Sequence, residues 1–144
     1  MKPPPGLLPD ESVREVLAVS FHGSMASSAR AIGMLGSNRV RIHAFGEWRS
    51  VADEAGFPAA GPDMVVGVTD RRLLVWRPSF WAARPSDLVG AIALSRVREV
   101  GVAQRGLVTV VTFALDSGLL VGVESLRPVR ARRLAAAVRS GAAT

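Results

Sequence analysis

Side chains that could carry out acid–base, nucleophilic or metal chemistry are few in this sequence. The chain has 144 residues, with two histidines and no cysteine. His22 and His43 are not at ligand spacing, whereas a zinc site needs three or four converging ligands. No Gly-x-Ser-x-Gly elbow is present, and Gly33-x-x-Gly36 lacks the Lys-Ser/Thr of a phosphate-binding loop. The sequence therefore predicts a non-enzymatic protein with no catalytic residues, no metal and no cofactor.

The acidic residues do not alter this interpretation. The chain has 12 Asp and Glu residues, and most of them fall in turns or beside Arg. Catalysis by a pair of carboxyl groups needs two environments that push their pKa values apart. No pair in the sequence stands in an obvious setting of that kind.

Arginine is the residue type that points to binding. Lys and Arg number 18, which gives a net charge of +6, and Lys2 is the only lysine. Arg39 and Arg41 would share one face of a strand if the period-two alternation of residues 39–44 is a strand pattern. No acid occurs after Glu124, and this part of the chain holds a second group of cations: Arg127, Arg130, Arg132, Arg133 and Arg139.

Two explanations of these arginines remain open. The first is that they bind an anionic lipid surface, for which the candidate residues are Arg39, Arg41, Arg127, Arg130 and Arg133. The alternative is a solvated helix face in a chain whose composition is biased toward arginine. An Arg near a helix C-terminus also complements the helix dipole, which accounts for Arg139 without a ligand.

Aromatic residues cluster around residues 78–87, which we interpret as a connector. Trp76, Phe80 and Trp81 are typical of core and barrel-rim packing, because aromatic side chains dominate small cores. The alternative is an exposed aromatic loop, in which Trp76 and Trp81 are the candidate partner-binding residues.

The elements that must position these residues are mostly strands. Apolar and β-branched runs predict strands at 15–22, 64–69, 72–76, from 91 through 102, 107–115 and 119–124. Asp70-Arg71 and Asp116-Ser117-Gly118 are predicted hairpin turns, since Asp bonds its own local backbone and Gly accepts positive φ. Residues 52–63 are rich in Ala, Gly and Pro and predict a loop.

The period changes near the C-terminus. Ala131, Leu134, Ala135 and Val138 recur at helical spacing, and Pro128 suits a first helical turn. Antiparallel strands followed by one amphipathic helix predict an α+β fold, an antiparallel β-barrel or sandwich capped by the C-terminal helix.

The order of these elements resembles that of the bacterial pleckstrin-homology-like (PH-like) domains. Residues 68–76, VTDRRLLVW, are similar to the hairpin of that family, T-[ND]-x-R-[LIV]. Residues 92–100, IALSRVREV, are similar to its I-x-L-x-x-I-x-x-V strand, and residues 116–118 match its turn before the last strand. The resemblance covers about residues 64–140, and in eukaryotic PH domains basic residues near the first hairpin bind inositol phosphates.

The resemblance implies one domain with a long insertion. We assign residues 1–10 to a flexible Pro-rich tail and 11–141 to a single PH-like domain, with the insertion around 24–63.

The apolar windows are too short for a membrane span of about 20 residues. Leu7-Leu8 is too short for the apolar core of a signal peptide. The expected location is therefore the cytoplasm, including the surface of the membrane.

Three functions follow as hypotheses. The first is a non-enzymatic PH-like interaction domain that binds a protein partner, or itself, through a sheet edge. The second is peripheral binding to anionic lipid headgroups through the arginine clusters. The third is nucleic-acid binding driven by the positive charge, although the chain lacks a helix-turn-helix and an aromatic-and-basic strand motif.

Overall fold

The fold is an antiparallel sheet of seven strands with a helix at its C-terminal end. A computed structural model describes residues 4–24, 38–59, 61–79 and 84–142. In chain order, its elements are β1 (Glu15–Phe21), α1 (Asn38–Ala55), β2 (Asp63–Val68), β3 (Arg72–Pro78), β4 (Pro85–Ala93), β5 (Val97–Arg105), β6 (Val108–Leu115), β7 (Leu120–Ser125) and α2 (Pro128–Ala142). The spatial order is β4-β3-β2-β1-β7-β6-β5. The predicted α+β class, with a sheet capped by a C-terminal amphipathic helix, is confirmed.

The β2–β3 hairpin turns where the sequence predicts. The Thr69 hydroxyl oxygen accepts hydrogen bonds from the backbone amides of Arg71 (3.0 Å) and Arg72 (2.9 Å). The amide of Thr69 donates to the carbonyl of Arg72 at 2.9 Å, which closes the turn from the other side. Asp70 and Arg71 therefore form the tip, and a polar side chain satisfies the amides that the ladder leaves unpaired.

The fourth predicted strand is two strands in the structure. The apolar pattern from 91 through 102 is interrupted by a short 3-10 turn at Leu94–Arg96, which separates β4 from β5. Leu94 is buried within that turn, so the hydrophobic pattern continues although the strand does not. The connector is also shorter than predicted, because β4 begins at Pro85.

The period-two alternation of residues 39–44 is not a strand pattern, because these residues are helical. Residues 38–55 form α1, so the loop predicted from residue 52 begins only after residue 55. Phe45, Trp48, Ala52 and Ala55 are spaced at i, i+3, i+7 and i+10, the spacing of one helical face. Trp48 packs against the rings of Phe45 and Phe21, with centroids 5.9 and 6.2 Å away.

One main core lies under both halves of the sheet. It joins apolar side chains of β2, β3 and β4 with those of β5, β6 and β7, so the inner faces of the two halves line the same space. The buried face of α2 closes this core with Ala131, Leu134, Ala135 and Val138. These are the four residues that the helical period predicts.

The outer face of the β2–β3 pair is covered by the segment before β1. Val65, Leu74 and Trp76 form a second apolar cluster there, against which Leu7 and Leu88 pack. Residues 4–10, which the sequence analysis assigns to a tail, thus lie against the sheet and bury apolar surface on its second side.

The same segment is fixed by polar contacts. The indole N–H of Trp76 donates to the Pro5 carbonyl at 2.9 Å. Arg72 donates to the Gly6 carbonyl at 2.9 Å and forms an ion pair with Glu11, whose side chain is fully buried. Hydrogen bonds from Arg72 hold the pKa of Glu11 at about 2, well below its usual value, because they stabilise the carboxylate.

Candidate interaction surfaces

Three predicted lipid-binding arginines lie in a row at the start of α2. The amide of Arg127 donates to the hydroxyl oxygen of Ser125 at 3.0 Å, and the Arg127 carbonyl accepts from the amide of Ala131 at 3.0 Å. Arg127 therefore begins the helical hydrogen bonding. Arg130 and Arg133 follow at intervals of three, which makes the three residues neighbours along the helix, and all three are exposed.

These arginines form no ion pair within the described part of the chain. Ion pairs there engage other arginines, namely Arg49, Arg71, Arg72 and Arg96. The first turn of α2 contains no acidic residue. Because a helix dipole favours anions at the N-terminus and cations at the C-terminus, it accounts for Arg139 but not for Arg127 or Arg130.

Exposed apolar side chains lie beside the arginines. Leu107, Leu126 and Val129 are 85%, 64% and 58% exposed. Thr109 of β6 pairs with Ser125 of β7, so the chain just before Thr109 and the chain just after Ser125 leave the sheet side by side. We call the surface made by Leu107, Leu126, Val129, Arg127 and Arg130 the basic corner.

A cleft of about 410 Å³ lies beside the basic corner, between the end of β1 and the end of β7. Met64, Val108 and Leu126 contribute to its apolar wall, and Arg127 stands at its rim. Within it, Glu124 accepts a hydrogen bond from the amide of Gly23.

The two histidines each contact one carboxylate. His22 Nδ1 lies 3.4 Å from Glu124, and His43 Nε2 lies 3.0 Å from Glu47. Among the described residues no group of three or more His, Asp and Glu side chains converges as metal ligands would.

The second candidate surface is the outer edge of β5. This strand pairs with β6 and ends the sheet, and its register is regular from Glu99 to Arg105. A groove of about 420 Å³ runs between β5 and the end of α2, lined by Val97, Arg98, Glu99, Val100, Val138, Arg139 and Ala142. In this groove, Arg139 donates to the Val100 carbonyl at 2.9 Å.

The β5–β6 turn indicates which backbone groups of β5 face outward. Arg105 pairs with Val108 across a turn of two residues, and such a turn is closed by a hydrogen-bonded pair. Pairs in an antiparallel ladder alternate, so Val100 and Val102 direct their N–H and C=O groups away from β6. The contact between Arg139 and the Val100 carbonyl agrees with this direction.

The other predicted residues do not join these surfaces. Trp76 is fully buried beneath residues 4–10, so its prediction as an exposed partner-binding residue is wrong. Trp81 lies outside the described residues. Arg39 and Arg41 lie in α1, where positions two apart are separated by about 200° around the helix, so the predicted shared strand face does not exist.

Sequence reasoning missed the apolar part of the basic corner and the groove at β5. The apolar run predicts Leu107 as the first residue of a strand, but it lies in the two-residue turn between β5 and β6, where a large apolar residue has no core to reach. Leu126 and Val129 fall outside the helical face that the periodicity picks out. Apolar residues that do not fit the helical face were the signal from which the apolar part of the basic corner could have been found. The groove has no such signal, because it depends on how α2 packs against β5.

No model of a known protein family matches the chain, and no curated protein sequence matches it. None of the helices within the described ranges is long and apolar enough to cross a membrane.

Proposed function

We propose that this chain is a non-enzymatic interaction domain of the PH-like kind, which binds a protein partner by pairing an extended segment of that partner with β5. The observation that carries the proposal is the outer edge of β5, a regular strand with outward N–H and C=O groups beside a groove. Extended peptides bind such edges through main-chain hydrogen bonds, and grooves beside the edge select their side chains.

The opposite edge of the sheet is less suited to pairing. β4 begins with a proline, and its register with β3 shifts between Val75 and Trp76 and again between Trp76 and Pro78. Prolines and irregularities discourage edge pairing. β5 has a shift only between Val97 and Glu99, which leaves most of its length regular.

The groove supports a partner segment with both apolar and acidic side chains. Val97, Val100 and Val138 provide an apolar floor, and Arg98 and Arg139 provide two cations against the single carboxylate of Glu99. Arg139 loses its hydrogen bond to the Val100 carbonyl when the partner's backbone pairs with that carbonyl. A carboxylate of the partner near Arg139 would replace the lost contact with a charge-assisted hydrogen bond.

The test is selection of binders from a phage-displayed library of random dodecapeptides, followed by nuclear magnetic resonance titration of the selected peptides. We expect shifts of β5 and the end of α2, together with new protection of the Val102 amide from hydrogen exchange. Val102→Pro removes an outward N–H and should weaken binding by at least about tenfold. Val102→Ala is the matched control, because it loses the same packing and keeps the N–H.

Three results would refute the proposal: no peptide selected above background, shifts located away from β5, or equal affinities for the proline and alanine variants. Concentration-dependent dimerisation abolished by Val102→Pro would instead identify a second copy of the chain as the occupant of the edge.

A further inference from the structure

We propose that the basic corner is a docking surface for a membrane rich in anionic phospholipid, separate from the protein-binding edge at β5. The proposal rests on two properties that coincide there: exposed apolar side chains on a turn and at a helix start, and arginines without acidic partners. The groove at β5 lacks the first property, because its three valines are buried.

The apolar residues favour a membrane over a purely polyanionic ligand. Leu107 is 85% exposed at the tip of the β5–β6 hairpin, in a two-residue turn where Gly106 adopts a positive φ of 61°. A leucine in that place gains nothing from the core, but it can enter the boundary between headgroups and acyl chains. Leu126 and Val129 extend the apolar surface from the hairpin to the helix.

Charge complementarity supports the choice of an anionic surface. Arg127 and Arg130 belong to the basic corner, and Arg133 continues the row along α2. Arg105 lies at the exposed end of β5, immediately before the turn. Each basic residue near an anionic bilayer strengthens binding by about fivefold, so the arginines and the apolar tip act together as the two signals that stable peripheral binding requires.

Exposed arginines at the opposite end of the molecule can serve as a control for the replacement of those in the basic corner. Arg14 and Arg71 lie at the end of the sheet formed by the β2–β3 turn, where the amide of Arg14 donates to the Val68 carbonyl. That end is near the C-terminus of α2, since a Cβ placed on Gly141 would lie 3.7 Å from the Asp70 carbonyl oxygen. Fifteen residues of helix separate it from Arg127, which corresponds to about 20 Å.

The experiment is co-sedimentation with vesicles of phosphatidylcholine alone, or of phosphatidylcholine and phosphatidylglycerol in equal amounts. The full chain should bind only the anionic vesicles, and binding should weaken as salt shortens the Debye length from about 10 Å at 0.1 M toward about 3 Å at 1 M. Combined replacement Arg127→Gln, Arg130→Gln and Arg133→Gln should lower the partition coefficient by about 100-fold.

Two further variants separate location from net charge. Arg14→Gln, Arg49→Gln and Arg71→Gln together remove the same charge elsewhere and should change binding by less than about fivefold. Leu107→Ser keeps every charge and should weaken vesicle binding by about tenfold. Equal losses in the two arginine triples, or no effect of Leu107→Ser, would overturn the proposal. All the replaced side chains are exposed or half-exposed, and melting temperatures close to that of the parent confirm that the variants fold.

A parallel binding assay with duplex DNA tests whether the anionic partner is a nucleic acid. Salt-sensitive binding of the duplex without binding to anionic vesicles would overturn the membrane proposal, as would the absence of any vesicle binding by the parent chain. Binding to vesicles that depends on Leu107, together with duplex binding that does not, would support it, because a polyanion without an apolar phase offers Leu107 nothing to enter.

Discussion

Replacing Glu11 with glutamine should destabilise the protein by about 3 kcal/mol at neutral pH. The Glu11 carboxylate accepts hydrogen bonds from the Leu8 amide (3.0 Å), the Thr69 hydroxyl (2.8 Å) and the Nε of Arg72 (2.9 Å). These contacts lower the pKa of Glu11 from 4.5 to about 2. A shift of that size corresponds to about 3 kcal/mol of stabilisation of the ionised form, or roughly 10 °C in melting temperature for a chain of this length.

The sign of the pH dependence follows from the direction of this shift. The pKa of Glu11 is lower in the folded chain than in the unfolded chain, so its contribution is complete above pH 4.5. It is lost as the pH falls from there toward about 2, because the folded protein must then accept a proton on a carboxylate that Arg72 holds.

The assay is urea unfolding of the parent, Glu11→Gln and Asp10→Asn from neutral to acidic pH. Asp10 is the neighbouring acid and is exposed, so its replacement removes the same charge without the buried contacts and should cost less than about 0.5 kcal/mol. The difference in unfolding free energy between the parent and Glu11→Gln should shrink as the pH falls below 4.5. If that difference stays constant with pH, or if both variants unfold at the same urea concentration at neutral pH, the ionised carboxylate is not what secures the segment.

Three other substitutions test the packing. Leu134→Ala empties a fully buried site under α2 and should cost about 2–5 kcal/mol in urea unfolding; an unchanged midpoint would show that the helix is not docked. Gly67→Ala places a methyl group 2.5 Å from the Trp76 ring and should lower the free energy of unfolding by about 1–3 kcal/mol. The displaced ring should also change the near-ultraviolet circular dichroism of tryptophan; an unchanged spectrum would show that the sheet makes room for the methyl group. Trp48→Phe removes the indole donor to the Gly122 carbonyl, 2.8 Å away, and should lower stability by about 1 kcal/mol, whereas equal melting temperatures would mean that this bond contributes nothing.

The elements that the sequence predicts correctly are those specified by local chemistry. The β2–β3 turn is specified by Thr69, whose hydroxyl satisfies two nearby amides, and α2 is specified by a spacing that matches its buried face. Both signals lie within a few residues of the structure that they determine, so no distant contact is needed to interpret them.

The errors occur where distant parts of the chain decide. Residues 39–44 alternate as a strand would, but the aromatic face of Phe45 and Trp48 has Phe21 to pack against, and the helix forms. Trp76 is a core residue, as the preferred interpretation has it, and the alternative of an exposed residue is wrong because the segment containing Pro5 covers it. For the proposed membrane-docking surface, the sequence offers Arg127, Arg130 and Arg133 as candidates, but it could not show that hairpin and helix bring apolar residues beside them.

The position of β1 has a consequence for how the chain folds as it is synthesised. β2, β3 and β4 are joined through successive neighbours, as are β5, β6 and β7, whereas β1 lies between the two groups and contacts both β2 and β7. The pairing of β1 with β7, in which Phe21 lies opposite Val123, can therefore form only after β7 has been synthesised. Contacts so distant in sequence slow folding. Apolar strand surface that stays exposed in the meantime is prone to aggregation, which is the general reason that chaperones shield such segments.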